Sequence, residues 1–270
     1  MGRSYSQSQG LVAMIGENRF TFVCPMFNAA ATLPRLLHSL FGQTYENWHI
    51  ILIDDVSEAS EREVERVIIK QFQEMLGCKY LHRITTLWNT QKQWEVANVL
   101  RGIKMCEVDD IVCRIDADDM LCDLNALHML NTVYVTNECD AVWSMHRWGH
   151  THRNISGPLP PRADPYTHSW VTSHLKTFRK YLIHGVPYTN FVNMNGDLVR
   201  RCGDQAIYLP VLKRAKNRVF FPQVLYHYTI DEQGGAVYHT ADAIFQKAEA
   251  DFIRARGYIS EGTPWEEMIK

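Results

Sequence analysis

The stretch Ile111-Val-Cys-Arg-Ile-Asp-Ala-Asp-Asp119 is an apolar run of strand length that ends in three carboxylates, Asp116, Asp118 and Asp119. Like charges this close repel one another unless a cation lies between them. Hard divalent cations such as Mg²⁺ and Mn²⁺ take oxygen ligands and leave positions open for substrate phosphates. In an open α/β sheet, ligands bind outside the carboxyl ends of the strands. The stretch therefore indicates a metal–diphosphate site if the rest of the chain builds such a sheet, and a solvated acidic turn if it does not.

The segments before this stretch alternate between strand patterns and helix patterns. Short runs of β-branched and aromatic residues indicate strands, and apolar residues at helical spacing that stop at a glycine indicate helices. This alternation predicts an α/β fold with a mostly parallel sheet and helices on both faces. The predicted strands cover 20–24, 48–53 and 80–86 and begin again at Ile111, and the predicted helices cover 33–41, 64–76 (stopping at Gly77) and 93–105.

The second half of the chain is less regular. After a predicted helix over 124–133 and a strand over 141–145, residues 146–173 are rich in glycine and proline. Loops of this length inside a compact domain are usually functional. The remaining predicted elements are short helices over 174–183 and 203–214, a strand over 224–229 and a final helix over 241–256.

Composition limits the class of protein. The chain has 270 residues, a formal net charge of −2 and 46% hydrophobic residues, so it predicts a sizeable core and no global attraction to nucleic acid. Seven cysteines without a CxxC pair favour reduced thiols. No apolar stretch has the length of a membrane span, and residues 1–18 are polar enough to predict a flexible arm. These features predict a cytoplasmic protein.

Three stretches carry a resemblance to a known family. They are Val23-Cys-Pro-Met-Phe-Asn28, the block from Ser39 through Gln43-Thr-Tyr-Glu-Asn to Asp54-Asp-Val-Ser57, and Arg114-Ile-Asp-Ala-Asp-Asp119. In this order and spacing they resemble the family 2 inverting glycosyltransferases with the GT-A fold. The resemblance implies a Rossmann-like nucleotide-sugar-binding half over 19–145 and a smaller, irregular acceptor-side half over 146–270. One departure is the segment 89–98, which lacks the glycine and the arginine that many members have there.

The resemblance implies a reaction and a donor site. A sugar would pass from a nucleoside diphosphate sugar, expected to be a UDP-sugar, to an acceptor hydroxyl with Mn²⁺ or Mg²⁺. Asp118 would be the direct metal ligand, with Asp116 bridging metal and ribose and His227 as a further ligand. The alternatives are a structural strand histidine at position 227 and a helix cap near Ser57 for one of the two carboxylates Asp54 and Asp55. Asp119 would cap a helix or support the metal ligands without binding the ion itself. The expected donor-binding residues are Pro25, Phe27, Asn28, Asp54, Asp55 and Asp116.

Asp204 matches the position of the catalytic base in the family. An inverting transfer needs one carboxylate that takes the proton from the attacking hydroxyl. The alternatives are a plain N-cap role for Asp204 and a base at Asp197 instead. Phosphate or acceptor contacts are expected from Arg179, Lys180, Trp148 and Trp170, although such cations often lie on a solvated face and most tryptophans belong to a core.

The acceptor is open between two classes. Residues 144–180 contain six lysines and arginines and five histidines against one acid, which favours an anionic acceptor. A glycan precursor is one candidate, and a hydroxymethylated base in DNA, as modified by certain phage enzymes, is the other; DNA binding would depend steeply on salt and would need a flipped base. A nucleotidyltransferase is disfavoured because residues 25–31 contain neither glycine nor lysine. A non-catalytic sugar-nucleotide binder is the remaining alternative.

Overall fold

A computed structural model describes residues 16–75, 82–230 and 241–269. One eight-stranded sheet is formed by strands from both halves of the chain, in the order β3-β2-β1-β4-β7-β6-β8-β5. The α/β fold predicted from the sequence is confirmed. The strands are β1 (Phe20–Met26), β2 (Trp48–Asp54), β3 (Ile84–Trp88), β4 (Ile111–Arg114), β5 (Met120–Leu121), β6 (Ala141–Trp148), β7 (Lys176–Arg179) and β8 (Arg218–Tyr228).

Seven α-helices are described around this sheet, and two short 3₁₀ turns, Lys180–Leu182 and Tyr188–Phe191, lie between β7 and α5. Within the described ranges, no helix is long and apolar enough to cross a membrane. The helices are α1 (Leu33–Phe41), α2 (Ala59–Met75), α3 (Trp94–Met105), α4 (Ala126–Thr136), α5 (Gly203–Arg214), α6 (Ala241–Arg256) and α7 (Trp265–Met268).

Strand register brings the acidic segments to one edge. β3, β2, β1 and β4 pair in parallel, with Met26 opposite Asp54 and Val23 opposite Arg114. Parallel strands end at the same edge of a sheet. The turn after β1, the Asp54-Asp55 pair and the acidic stretch after β4 therefore meet there.

The core has one layer on each face of the sheet. On one face, α1 buries Leu33, Leu36 and Leu40 against β1 and β2, together with apolar residues of α4. On the other face, α3 and α5 bury apolar residues such as Val99 and Ile207. Residues that alternate along a strand supply both layers, which is why the inner strands are apolar throughout. The two layers hold the first turns of α3 and α5 close to the edge where β4 ends.

The helix predicted over 174–183 is wrong. The chain there forms β7, which lies inside the sheet between β4 and β6, followed by a 3₁₀ turn. Phe178 pairs with Val112 and with Ala141, and both partners are distant in sequence. Pairing of this kind leaves no periodic signal in a four-residue strand, so local pattern could not reveal it.

Smaller differences concern strand ends. β6 continues to Trp148, although a loop was expected from 146, and β8 begins at Arg218. The third strand is observed over Ile84–Trp88 rather than 80–86. Gly77, the first two residues of that predicted strand and residues 1–15 of the predicted arm lie outside the described residues.

Candidate active site

A cleft of about 740 Å³ opens where β1, β2 and β4 end. Its walls come from those strand ends, from the first turns of α3 and α5, and from one side of α6. The expected site residues that line the cleft are Pro25, Phe27, Asp55, Asp116, Asp118, Trp170 and Asp204. The edge of the sheet thus gathers the expected metal carboxylates and the expected base in one cavity.

Arg114, the last residue of β4, is the buried centre of the cleft floor. Its guanidinium donates two hydrogen bonds to Asp116, of 3.0 Å to Oδ2 and 2.9 Å to Oδ1. It also forms ion pairs with Glu95 of α3 and, at 3.1 Å, with Asp204 of α5. Burial opposes the charge, but the carboxylates of Asp116, Glu95 and Asp204 outweigh it and raise the pKa of Arg114 well above its usual value. This residue therefore joins the end of β4 to both helices by charge.

Asp204 faces two cations at the bottom of the cleft. Its Oδ1 lies 2.8 Å from Nζ of Lys176, which is only 1% exposed, and 3.1 Å from Arg114. Burial opposes ionisation, but Lys176 and Arg114 outweigh it and hold the pKa of Asp204 well below its usual range. The N-cap of α5 is Cys202, so Asp204 is not the residue that caps this helix. The carboxylate is ionised and faces the cleft, as a base for a substrate hydroxyl must be.

Asp197, the other expected base, lies apart from this cluster. It is 61% exposed at its side chain, pairs with Arg200 at 3.9 Å, and does not line the cleft. Asp204 is therefore the better candidate.

Gly203 and Glu95 fit together at the start of α5. A Cβ atom on Gly203 would lie 2.5 Å from Oε2 of Glu95 and closer still to its Cδ. Real carbon–oxygen contacts are never so short, so the Glu95 carboxylate occupies the space that a side chain at position 203 would need. The close approach lets Glu95 reach Arg114 beside the base.

The three carboxylates after β4 have different surroundings. Asp118 lines the cleft, and the limited access of water to its carboxyl group, together with the charge on Asp116, raises its pKa to about 6. Asp119 is buried and turns away, because its Oδ2 accepts from Tyr226 Oη at 2.7 Å and its Oδ1 accepts from the Thr229 amide at 2.7 Å. Asp119 therefore anchors β8, while Asp116 and Asp118 face the cleft.

A divalent cation fits this pair only with help from a ligand. Among the described residues, no three His, Cys, Asp or Glu side chains are grouped to hold a metal ion by themselves. Asp116 and Asp118 supply carboxylate oxygens, which Mg²⁺ and Mn²⁺ prefer, and substrate phosphates commonly complete the coordination of such ions. The donor set thus fits an ion that binds together with a diphosphate.

Asp54 and Asp55 divide two tasks between them. Buried Asp54 accepts from the amides of Val56 and Ser57 and pairs with Arg62, so it fixes the turn into α2 and does not line the cleft. Asp55 lines the cleft and accepts from the amides at the start of α3. Both amides that Asp54 accepts from come before Ala59, the first residue of α2, so Asp54 stabilises the turn that leads into this helix, whereas Asp55 lines the cleft.

Asn28 and Phe27, both expected to bind the donor, differ in position. The amide of Asn28 donates to Ser57 Oγ at 2.8 Å and its Oδ1 accepts from the Glu58 amide at 2.9 Å. It holds the turn after β1 against the start of α2 and does not line the cleft. Phe27 is 50% exposed at the cleft, with Lys92 Nζ 3.1 Å from its ring centre.

His227 does not line the cleft that Asp116 and Asp118 border. Alternation along β8 places Tyr226 against Asp119 and Tyr228 in the cleft, so the residue between them points to the other face of the strand. There the ring accepts a hydrogen bond from Arg147 Nε at 3.2 Å. The expected ligand role is not supported by this geometry, and the strand-histidine alternative describes the residue.

Arg179 and Lys180 lie at the opposite edge of the sheet. β7 is antiparallel to β4, so Lys176 stands opposite Arg114 at the cleft while Arg179 stands opposite Ile111, at the far end. Arg179 donates to the Cys139 carbonyl and Lys180 to the Cys106 carbonyl. The expectation that these two cations clamp phosphate is not supported by their positions.

Trp148 and the basic residues of segment 144–180 are dispersed over the structure. Trp148 ends β6, carries the guanidinium of Arg153 4.7 Å from its ring centre, and does not line the cleft. Arg147 contacts His227, and Lys176 is buried beside Asp204. The segment 144–180 therefore forms no single basic surface beside the cleft.

Sequence reasoning missed the cations that do line the cleft. Arg114 lies in the acidic motif but was given no role, and the other cations come from the loops before α3 and α5 and from α6. The nearest signal is the Arg200-Arg201 pair that precedes Gly203-Asp204. The missed cleft residues with polar or aromatic side chains are Lys92, Trp94, Glu95, Asn98, Arg114, His174, Arg200, Arg201, Gln205, Tyr228, Gln246 and Lys247.

Comparisons with known protein structures agree with the fold. S. aureus TarS has a TM-score of 0.57 at 14% identity, over 78% of this chain and 37% of TarS, so the chain spans little more than a third of that protein. Residues 1–349 of S. aureus TarS in complex with UDP-GlcNAc have a TM-score of 0.57 at 14% identity, over 83% of this chain and 62% of that chain. The mannosyltransferase PcManGT from Pyrobaculum calidifontis, in complex with GDP-Man and Mn²⁺, has a TM-score of 0.53 at 14% identity, over 83% of this chain and 61% of PcManGT.

Sequence comparison gives the family. No curated protein sequence matches the chain. The model of glycosyl transferase family 2 matches residues 21–184, more than half of the chain, including the turn after β1, the Asp54-Asp55 pair and the acidic stretch. The chain therefore belongs to glycosyltransferase family 2.

Proposed function

We propose that this chain is a metal-dependent inverting glycosyltransferase that moves a sugar from a UDP-sugar to an acceptor hydroxyl. The observation that carries the proposal is the shared cleft. Asp116 and Asp118 lie at one wall, and ionised Asp204 lies across Arg114 from them. Asp204 is outside the residues that match the family model, so its role rests on this geometry.

The donor would bind along the carboxyl edge of the sheet. Phe27 and Asp55 border the space for the base, and Asp116 and Asp118 border the space for ribose and diphosphate. A divalent ion held by Asp118, with Asp116 beside it, would act as a Lewis acid that stabilises the departing diphosphate. Arg200, Arg201 and Lys92 add positive charge to the rim, which suits the same leaving group.

Asp204 would take the proton of the acceptor hydroxyl. Inversion requires the hydroxyl oxygen to attack the anomeric carbon from the face opposite the diphosphate, in one displacement. Because Lys176 and Arg114 lower the pKa of Asp204, this carboxylate is ionised but weakly basic. The proton then passes late, after bond formation to the anomeric carbon has made the hydroxyl strongly acidic.

The acceptor end of the cleft favours a glycan. Trp170 and Tyr228 line it with aromatic rings, a type of side chain that stacks well on sugar rings. A DNA acceptor would need a continuous basic surface for phosphates, and the basic segment 144–180 is dispersed instead. We therefore favour glycan synthesis over modification of a hydroxymethylated DNA base.

The test is turnover across a panel of nucleoside diphosphate sugars. Wild-type protein with Mn²⁺ or Mg²⁺ is incubated with UDP-, GDP- and TDP-sugars, and release of free nucleoside diphosphate is followed by NMR, with and without chelator. We expect metal-dependent release from a UDP-sugar and a matching rise in melting temperature. A chain that binds these sugars but releases nothing, even with added glycan acceptors, would be a non-catalytic binder, and one that binds none would overturn the proposal.

A further inference from the structure

Gln205 follows the expected base Asp204 in the first turn of α5, and both side chains line the cleft. Its Oε1 accepts a hydrogen bond of 2.6 Å from Nε of Arg254 on α6. A guanidinium can only donate, so the oxygen of the Gln205 amide faces Arg254 and the NH₂ group points away from it. The contact with α6 therefore fixes the direction in which Gln205 can donate.

The NH₂ group of Gln205 is open to the cleft. It has no hydrogen-bond partner among the residues that the structure describes, and it is not closed off from solvent. Because the side chain lines the cleft, a bound molecule can supply the acceptor. A donor that is held in one direction before the ligand arrives lowers the ordering cost of binding. The start of α5 thus offers a carboxylate that can take a proton and, beside it, an amide that can donate a hydrogen bond.

Arg254 also holds the aromatic wall of the cleft. Its Nη1 donates to the carbonyl of Tyr166 at 3.1 Å and to the carbonyl of His168 at 2.7 Å. Its guanidinium carbon lies 6.0 Å from the ring centre of Trp170, which is half-buried and lines the cleft. One side chain of α6 therefore fixes both the Gln205 amide and the segment that carries Trp170.

An indole, a directed amide donor and a carboxylate together match a sugar ring. A pyranose stacks on aromatic rings, and each of its hydroxyls can donate and accept a hydrogen bond. One hydroxyl can give its proton to Asp204, while a second hydroxyl of the same ring accepts from Gln205. A hydroxymethylated DNA base carries one hydroxyl and has no second hydroxyl to offer.

We propose that Gln205 determines acceptor specificity by donating a hydrogen bond to a second hydroxyl of the acceptor sugar, near the hydroxyl that Asp204 deprotonates. The inference rests on the proposed function and narrows its acceptor to a sugar ring with two free hydroxyls close together.

The experiment measures binding of the methyl glycosides of glucose, galactose, mannose and N-acetylglucosamine by saturation-transfer NMR, in the presence of UDP and Mn²⁺. Each glycoside that binds is compared with its singly deoxygenated analogues, each of which lacks one hydroxyl. The variant is Gln205→Ala, which removes the donor. Gln91→Ala is the matched control, because Gln91 is an exposed amide that lines a separate cavity.

We expect wild-type protein and Gln91→Ala to bind at least one glycoside, and to bind one of its deoxy analogues roughly three- to tenfold more weakly, as one lost hydrogen bond implies. In Gln205→Ala the parent glycoside should bind as weakly as this analogue, and the analogue itself should lose no further affinity. If Gln205→Ala does not fold, Gln205→Met takes its place, because it keeps the length of the side chain without the amide.

The same discrimination between parent and analogues in wild-type protein and Gln205→Ala would overturn the inference, as would wild-type protein that binds UDP but none of the glycosides. A loss of affinity for UDP-GlcNAc relative to UDP in Gln205→Ala, with glycoside binding unchanged, would place the amide on the donor sugar and overturn it too. In these results the wild-type protein still binds UDP, so the proposed function stands. Wild-type protein that binds neither UDP nor any glycoside would overturn both.

Discussion

Replacing Gly203 by alanine tests the fit between α5 and Glu95. The new methyl group would lie 2.5 Å from Glu95 Oε2, whereas nonbonded heavy atoms need about 3.5 Å. The carboxylate must therefore move by about 1 Å, which stretches and weakens its ion pair with Arg114. A charge-assisted hydrogen bond is worth about 1.5–3 kcal/mol, and alanine returns about 0.4–1 kcal/mol through the unfolded chain. We expect Gly203→Ala to lower the free energy of unfolding by about 1–2 kcal/mol.

Urea unfolding of a double-mutant cycle isolates this effect. In the Glu95→Ala background the obstructing carboxylate is absent, so Gly203→Ala should cost nothing or stabilise slightly. Gly157→Ala is the control, because the nearest atom to its new methyl group is 4.0 Å away. The same cost for Gly203→Ala in both backgrounds, or a cost no greater than that of Gly157→Ala, would refute the fit between Gly203 and Glu95.

Three further predictions concern single side chains. Lys176→Met removes a cation that lowers the pKa of Asp204, so this carboxylate should become protonated at a higher pH. The acid limb of the pH–rate profile should therefore shift to higher pH. An unshifted limb would mean that Asp204 is not the group that titrates. Asp118→Ala should abolish the rise in melting temperature that Mn²⁺ gives in the presence of UDP, and a full rise in this variant would contradict the metal assignment. Asp54→Asn should lower the free energy of unfolding by about 1–3 kcal/mol in urea titrations, because it weakens the buried pair with Arg62. The affinity for UDP, measured by calorimetry, should change less than about threefold. A large loss of affinity with unchanged stability would place Asp54 in the donor site.

Sequence patterns predicted the parallel part of the fold well because its signals are local. The leucines of α1 recur at helical spacing, and the strand at Trp48–Asp54 is an unbroken apolar run. β7 was missed because its four residues are defined by pairing with β4 and β6, far away in sequence. The error on β7 also misplaced Arg179 and Lys180, because the direction of β7 decides which of its ends faces the cleft.

In the candidate site, too, residues in local sequence patterns were predicted, and residues whose roles depend on distant contacts were not. Asp116, Asp118 and Asp204 lie in motifs or helix starts, and their residue types announce their chemistry. The roles of Arg114 and Lys176 are less evident, because they depend on contacts with carboxylates from other segments: Glu95 and Asp204 for Arg114, and Asp204 for Lys176. For His227 the sequence left a ligand role and a structural role open, because the direction of its side chain depends on where β8 begins in the sheet.

The most direct test of the account is the anomer that the protein first releases from UDP-GlcNAc. Wild-type protein and Asp204→Asn are incubated with UDP-GlcNAc and Mn²⁺, and hydrolysis is followed by proton NMR faster than the sugar mutarotates. We expect the wild-type protein to release the β-anomer from the α-linked donor, and Asp204→Asn to bind UDP normally but turn over about 10²- to 10⁴-fold more slowly. Release of the α-anomer, or normal turnover in Asp204→Asn, would contradict an inverting transfer with Asp204 as the base.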